Sequence, residues 1–165
     1  MRKHLRFGAS ASLALVLSVA ACGGSATGSG AGSASGRGCP AAPHHAYVVV
    51  EHLSGRVLQR CVGFSGSTID GDQLMRRSRI EYQTQTFSGL GKAVCQIDRE
   101  PAHFSTCFPK GQPYWALYES RHGAPWVTPS TGYAALKLGD GDALGWRYVP
   151  ASGSPAPPPP PPRGS

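Results

Sequence analysis

Short runs in which apolar and polar residues alternate occupy most of the chain between residues 46 and 149. Residues 46–52 are rich in β-branched and aromatic side chains, and residues 56–62 alternate after a glycine-containing turn at residues 53–55. Two such runs on either side of a short turn predict a β-hairpin. The alternation favours strands that pack one face on a core and leave the other face wet.

One segment interrupts the alternation with the spacing of a short helix. Residues 73–77 follow Asp70 and Asp72, and either carboxylate can accept a hydrogen bond at a helix N-terminus. About five to seven short strands and one brief helix predict an α+β fold, a small and mostly antiparallel β domain built from hairpins. The further strands are predicted over residues 80–87, 93–97, 113–120, 136–138 and 144–149.

The N-terminal residues have the three parts of a bacterial export signal. A basic start over residues 2–6 precedes an apolar run over residues 7–21, which is shorter than the about 20 apolar residues that span a bilayer. The run ends in small residues before Cys22, and this end resembles the lipobox of bacterial lipoproteins. The resemblance implies that residues 1–22 are a lipoprotein signal peptide and that acyl chains on Cys22 anchor the protein to a membrane. The alternative is an ordinary signal peptide that leaves Cys22 free.

Composition separates the part of the chain that can fold from its flanks. Residues 23–38 are mostly Gly, Ser and Ala, which is typical of a flexible tether. Residues 151–165 contain a run of prolines and no hydrophobic pattern to bury, so we expect a disordered tail of extended, polyproline II type. The folded unit is therefore predicted over residues 39–150, as one domain.

The net charge of +7 overstates how basic the folded part is. Within residues 39–150 eleven Lys and Arg residues stand against nine acidic ones, and they are dispersed apart from Arg76, Arg77 and Arg79. A protein that binds nucleic acid usually concentrates its basic residues on one face. We therefore expect no nucleic-acid partner.

An even set of four cysteines remains once Cys22 is assigned to the signal. In an oxidising compartment such a set is expected to form disulfides, and four cysteines allow three pairings. The spacing favours Cys39–Cys61 and Cys95–Cys107, because each pair encloses a single chain reversal. Closing loops of this size typically contributes about 3 kcal/mol each by constraining the unfolded chain.

The order of the segments resembles a known family. A hairpin and a short helix are followed by Cys-Gln-Ile-Asp at residues 95–98 and Tyr-Trp-Ala-Leu-Tyr at residues 114–118. Gly-Asp-Gly-Asp at residues 139–142 and Gly-Trp-Arg-Tyr at residues 145–148 come last. These motifs resemble the small β-rich domain at the C-terminus of transcobalamin and intrinsic factor, which also occurs alone in exported actinobacterial proteins. The resemblance covers residues 46–149 and implies a corrinoid or another nutrient as ligand, with a transporter component as partner.

Aromatic residues concentrate in the second half of that region. If the domain binds a planar or amphipathic ligand, we expect its outward-facing aromatics to form the contact surface, because their rings give a large contact area. A guanidinium among them offers a planar fork of donors. The alternative is that the same rings are the core of the domain. The predicted ligand-binding residues are Tyr114, Trp115, Tyr118, Trp126, Trp146, Arg147 and Tyr148.

Candidate catalytic and metal-binding residues do not converge in the sequence. The Gly-x-Ser-x-Gly motif of hydrolases does not occur. His44 and His45 are adjacent at the entrance to a predicted strand, so they point apart. Asp140 and Asp142 lie in a turn that lacks the other oxygen ligands of a calcium loop. We therefore expect no enzymatic activity, no cofactor and no metal.

Three classes of function remain open. The leading expectation is a lipid-anchored extracytoplasmic binding or accessory domain, held at the cell membrane by Cys22. The second is a structural or protein-interaction domain at the cell surface, whose proline tail engages a partner or the wall. The third is an unrecognised hydrolase or redox protein.

Overall fold

The computed structural model describes residues 38–153 and 155–162; the expected signal peptide, Cys22 and most of the expected tether lie outside them. Neither the α-helix nor the short 3-10 helix at Tyr133–Ala135 in this part of the chain is long and apolar enough to span a membrane. The elements are, in chain order, β1 (His44–Glu51), β2 (Val57–Phe64), β3 (Ile69–Asp70), α1 (Gly71–Ser78), β4 (Tyr82–Phe87), β5 (Gly91–Ile97), β6 (Tyr114–Ser120), β7 (Lys137–Leu138) and β8 (Ala143–Val149).

Four of the strands form the central sheet, in the order β2-β1-β8-β6. The antiparallel pair β1–β2 is the hairpin that the sequence predicts, and β6 pairs antiparallel with β8. The first and last strands, β1 and β8, lie side by side and run parallel, with Tyr47 opposite Ala143. Parallel neighbours need a long crossover connection, and here that connection contains all the remaining elements. The prediction of a mostly antiparallel α+β domain with one short helix is confirmed.

Two small antiparallel sheets complete the fold. β4 and β5 form a hairpin around residues 88–90, with a register shift between Gln83 and Thr84. β3 and β7 are two residues long and pair Ile69 with Leu138. The sequence predicted β4 and β5 to within a few residues. It did not predict β3, because two residues are too few to show an alternation.

Helix α1 begins at Gly71, two residues before the predicted start, with Asp70 rather than Asp72 at its N-terminus. The Asp70 carboxylate accepts a hydrogen bond of 2.7 Å from the backbone N–H of Gln73, which satisfies one of the donors left free at a helix N-terminus. The helix ends at Arg79, which adopts a left-handed conformation. Leu74 and Met75 are fully buried in the main core. Burying each of these side chains contributes about 1.5–3 kcal/mol.

The two faces of the central sheet are covered by different parts of the chain. On the inner face, Val48 and Val50 of β1 pack into the same core as helix α1. Trp146 of β8 lies opposite Val50, and its indole N–H donates to Met75 Sδ at 3.3 Å. Because neighbouring residues of a strand point to opposite faces, Val49 belongs to the outer face. Val49 is nevertheless fully buried.

Both predicted disulfides are present. Cys39–Cys61 ties the segment before β1 to β2, and Cys95–Cys107 ties the loop after β5 back to that strand. The second bridge lies in a small apolar cluster of its own. The two bridges span sequence separations of 22 and 12 residues, so each joins neighbouring parts of the fold.

The proline-rich tail, for which we expected disorder, contacts the outer face of the sheet over residues 155–162. This stretch forms neither helix nor strand and bends at Pro159. Pro158 is buried, and its ring reaches the backbone of Gly145 in β8. The tail therefore contributes to the cover over a sheet face that helix α1 does not reach.

Candidate functional site

A cleft of about 250 Å³ lies between β5 and β6, two strands that belong to different sheets. β6 is the edge of the central sheet. Among the described residues, β6 pairs with β8 and also forms one isolated bridge, between Glu119 and Val127. Residues 114–118 of β6 form one wall of the cleft and residues 128–133 contribute to another. The aromatic lining residues are Phe108, Tyr114, Trp115, Tyr118, Tyr133 and Trp146.

Two exposed hydrophobic side chains border this cleft. Leu90 is 40% exposed and Phe108 is 46% exposed, and both line it. Among the described residues, the other large hydrophobic side chains exposed to this degree are Leu53 and Val127. Exposed apolar groups beside an apolar cavity are typical of binding sites. The sequence analysis did not predict Leu90 or Phe108 as site residues. Each is a large apolar residue in a turn or loop, and that position could have indicated an exposed binding contact.

One end of the cleft is polar. Lys92 Nζ lies 3.2 Å from both carboxylate oxygens of Asp72, and the Tyr133 hydroxyl donates to the same carboxylate at 3.1 Å. Burial opposes the ionisation of Asp72, but the hydrogen bonds from Lys92 and Tyr133, together with the positive charges of Lys92 and Arg76, outweigh it and lower the pKa of Asp72. Burial also raises the pKa of Tyr133, with contributions from Tyr82 and Asp72, so its hydroxyl remains a hydrogen-bond donor.

The seven predicted ligand-binding residues are distributed over both faces of the sheet. Three of them, Trp115, Trp146 and Tyr148, belong to the core on the inner face. The alternate positions on the outer face are Tyr114, Tyr118 and Arg147, and Trp126 packs on that face from the loop after β6. The seven residues therefore do not form one outward surface, because alternation in β6 and β8 sends neighbours to opposite sides. The cleft brings together Tyr114, Trp115, Tyr118 and Trp146 and leaves out Trp126, Arg147 and Tyr148.

The two tryptophans of the cleft are core residues. Trp115 and Trp146 are each 2% exposed. The indole N–H of Trp115 donates to the backbone carbonyl of Glu100 at 2.8 Å, which holds the ring in place. Little of either ring is therefore accessible to a ligand in the cleft. The more accessible aromatic rings are those of Tyr114 and Phe108.

The aspartates of the Gly-Asp-Gly-Asp turn at residues 139–142 make hydrogen bonds that stabilise the fold. The Asp142 carboxylate is 2% exposed and accepts hydrogen bonds from the backbone N–H groups of Gly139 (2.7 Å) and His122 (2.9 Å). Arg121 donates to the same carboxylate at 2.8 Å. Burial opposes ionisation, but these donors together outweigh it and lower the pKa of Asp142. Asp140 binds the backbone at the start of β1 instead, so the two aspartates do not act as a pair.

His52, just after β1, is buried in a polar network. Its Nδ1 lies 2.7 Å from a carboxylate oxygen of Glu100, and its Nε2 lies 3.0 Å from the guanidinium of Arg56. Arg56 also pairs with Asp98 at 2.5 Å. Because both ring nitrogens already have partners, neither is available as a general base or a metal ligand.

One group of possible metal ligands occurs within the described residues. The ligand atoms of Cys39, His45 and Cys61 lie within 4.8 Å of one another. The two sulfur atoms are joined as a disulfide, and metals bind the thiolate form of cysteine. His45 Nε2 is already 2.8 Å from the carbonyl oxygen of Pro40. In the oxidised protein this group is therefore not a metal centre.

Similarity to known proteins is confined to solved structures. No protein-family model matches the chain, and no curated protein matches it. A crystal structure from Ruminococcus gnavus, of a protein for which metal binding has been suggested, is 16% identical with a TM-score of 0.45. The match covers 65% of this chain and 97% of that chain. Similarity at this level transfers no function.

Proposed function

We propose that the domain binds a small planar or amphipathic molecule in the cleft between β5 and β6. It does so outside the cytoplasm, next to the membrane to which acylated Cys22 holds it. The observation that carries the proposal is the aromatic lining of the cleft together with its border of Leu90 and Phe108. Ligand sites are lined mainly by apolar and aromatic side chains with a few polar groups. Here Lys92 and Thr131 supply polar groups.

A corrinoid is the first ligand to test, on account of the resemblance of residues 46–149 to the C-terminal domain of transcobalamin and intrinsic factor. At about 250 Å³ the cleft is smaller than the about 300–1,000 Å³ typical of sites that enclose drug-sized molecules. A corrinoid is larger than such molecules. The domain would therefore contact one edge of the macrocycle and leave the rest for a second protein, such as a transporter component.

The test is calorimetric titration of the full exported chain with cyanocobalamin. Leu90→Ala and Phe108→Ala remove exposed side chains, so they should leave the fold intact. Each should weaken binding about fivefold, because each loses apolar area that the ligand covers. Leu53→Ala is the matched control, since Leu53 is 53% exposed and does not line the cleft.

Two results would overturn parts of this proposal separately. Unchanged affinity in both border variants, or an equal loss in Leu53→Ala, would show that the cleft is not the site. The absence of any binding heat with cyanocobalamin at two well-separated temperatures would exclude the corrinoid, because burial of apolar surface changes the binding enthalpy with temperature. A screen of smaller planar amphipathic compounds against wild type and Phe108→Ala would then decide whether the cleft binds any ligand of this class.

A further inference from the structure

The outer face of the central sheet carries a row of residues at its centre, three of them buried and Gln59 half-buried. The row crosses the four strands in register: it contains Gln59 of β2, Val49 of β1, Gly145 of β8 and Tyr118 of β6. Helix α1 packs on the opposite face, yet Val49 is fully buried and Tyr118 is 6% exposed. Another part of the chain therefore covers this row.

At Gly145 the cover consists of Trp126 and the proline-rich tail. A β-carbon placed on Gly145 would lie 2.8 Å from Pro158 Cγ and 2.9 Å from Trp126 Cζ3. Both rings therefore rest on the bare backbone of Gly145, and any side chain at that position would displace them. A proline ring packed beside an aromatic ring is the contact by which aromatic-lined grooves bind proline-rich segments.

Main-chain carbonyls hold the tail in this position. Arg147 Nη1 donates to the carbonyl oxygens of Ala156 (3.4 Å) and Pro157 (3.2 Å). Gln59 Nε2 donates to the carbonyl oxygen of Pro160 at 3.4 Å. Three residues of extended chain reach about 10 Å, which matches the two strand spacings of about 4.8 Å that separate β8 from β2. The tail thus crosses from β8 to β2 over the intervening β1.

These contacts use groups that any proline-rich segment carries, because proline has no N–H and offers its carbonyl alone. The contacts are also incomplete. The hydrogen bonds are longer than the usual value of about 2.9–3.0 Å. The indole N–H of Trp126 and the hydroxyl of Tyr118 are buried with no hydrogen-bond partner among the described residues. A segment that placed carbonyls opposite these two donors would bind better than the tail does.

We propose that the outer face is a recognition surface for proline-rich segments, which the chain's own tail occupies and which a proline-rich segment of a partner protein enters in its place. A tethered tail acts at a high effective concentration, so it keeps the surface covered until a better-matched segment arrives. The proposal does not depend on a ligand in the cleft, because it rests mainly on Trp126, Gly145 and Arg147, which do not line the cleft. Tyr118 and the tail residue Pro155 line both surfaces.

The test weakens the tail within the full-length chain through the triple variant P157S/P158S/P160S. The other two tryptophans are each 2% exposed, so acrylamide quenching of tryptophan fluorescence reports on Trp126. Quenching should rise in the triple variant and return to the wild-type level when a peptide copy of residues 155–162 is added. In a separate titration, followed by the fluorescence anisotropy of a labelled copy of the same peptide, wild type should need at least about tenfold more protein than the triple variant for half-saturation, because its own tail competes.

Control peptides and surface variants make the test specific. A peptide with glycine and serine in place of the prolines should have no effect. In the triple variant, Arg147→Ala and Gln59→Ala should each weaken peptide binding about three- to tenfold, because each removes a donor to a tail carbonyl. Arg60→Ala should not, since Arg60 is opposite Val48 and belongs to the inner face.

Three outcomes would overturn the proposal. Quenching that does not change in the triple variant would mean that the tail does not cover Trp126. Equal effects of the two peptides would mean that the surface does not recognise proline. A wild-type dimer that the triple substitution abolishes would place the tail of a second copy in the groove instead of a different partner.

Discussion

Arg121 and Asp142 are joined by a hydrogen bond of 2.8 Å that links the loop after β6 to the turn before β8. The Asp142 side chain is 2% exposed, whereas the Arg121 side chain is 41% exposed. The carboxylate is therefore the partner that has been removed from water. Two backbone N–H groups and one guanidinium compensate for this loss of hydration, which makes the turn sensitive to the charge of Asp142.

Asp142→Asn should lower the free energy of unfolding by about 1–3 kcal/mol at neutral pH, because the amide cannot accept every hydrogen bond that the carboxylate accepts. The folded-state pKa of Asp142 lies below its unfolded value of about 3.9. The carboxylate therefore stabilises the fold fully above that value and loses its effect as the pH falls through the folded-state pKa. Urea unfolding should show a constant difference between wild type and variant above about pH 5 that shrinks below about pH 4.

Asp140→Asn is the matched control for this experiment. Asp140 accepts a hydrogen bond of 2.7 Å from the backbone N–H of His45, and an asparagine oxygen can accept the same bond. We expect a change of less than about 0.5 kcal/mol. An equal loss in both variants would contradict the role assigned to Asp142.

The aromatic residues should separate into two groups by stability. Trp146→Ala removes a side chain that is 2% exposed and should cost about 3–5 kcal/mol in urea unfolding. Tyr114→Ala, at a half-buried position that lines the cleft, should cost about 1 kcal/mol. Comparable losses would mean that Tyr114 is also part of the packed core and not a ligand contact.

Both disulfides should stabilise the fold, but only Cys95–Cys107 should affect ligand binding in the cleft. Replacing either pair by serines should cost about 3 kcal/mol, since the loops span 22 and 12 residues. Removing Cys95–Cys107 should also weaken binding in the cleft, because Cys107 precedes Phe108 at the cleft border. Removing Cys39–Cys61 should leave that binding unchanged below the melting temperature. Thermal unfolding and ligand titration of the two double variants would distinguish these effects.

The expected anchor can be tested in cells. Metabolic labelling with a palmitate analogue should mark the wild-type protein and not Cys22→Ser. The variant should also appear in the medium, because without acyl chains the protein is not anchored to the bilayer. Equal labelling of the two proteins would contradict lipidation at Cys22.

Features that depend on neighbouring residues were predictable from the sequence. The first hairpin follows from a short turn between two alternating runs. The start of α1 follows from the ability of Asp70 to accept a backbone hydrogen bond. The pairings Cys39–Cys61 and Cys95–Cys107 follow because each bridge closes a local loop.

Features that depend on distant residues were not predictable in the same way. Alternation shows that Tyr114 and Trp115 point to opposite faces, but not which face the helix covers. The cleft needs the relative placement of β5 and β6, which belong to different sheets. The contact of Pro158 with Gly145 could not be predicted from neighbouring residues. It forms because Gly145 has no side chain, so that the rings of Pro158 and Trp126 can both pack on its backbone.

The parallel pairing of β1 with β8 sets the time at which the domain can fold. During synthesis the first strand emerges early, whereas the strand that lies beside it in the sheet emerges only after residue 143. Pairings between such distant segments form slowly. An export system that threads unfolded polypeptides would therefore receive a chain whose central sheet is still open. On the far side, where cysteines can be oxidised, each local bridge could form before β8 pairs with β1.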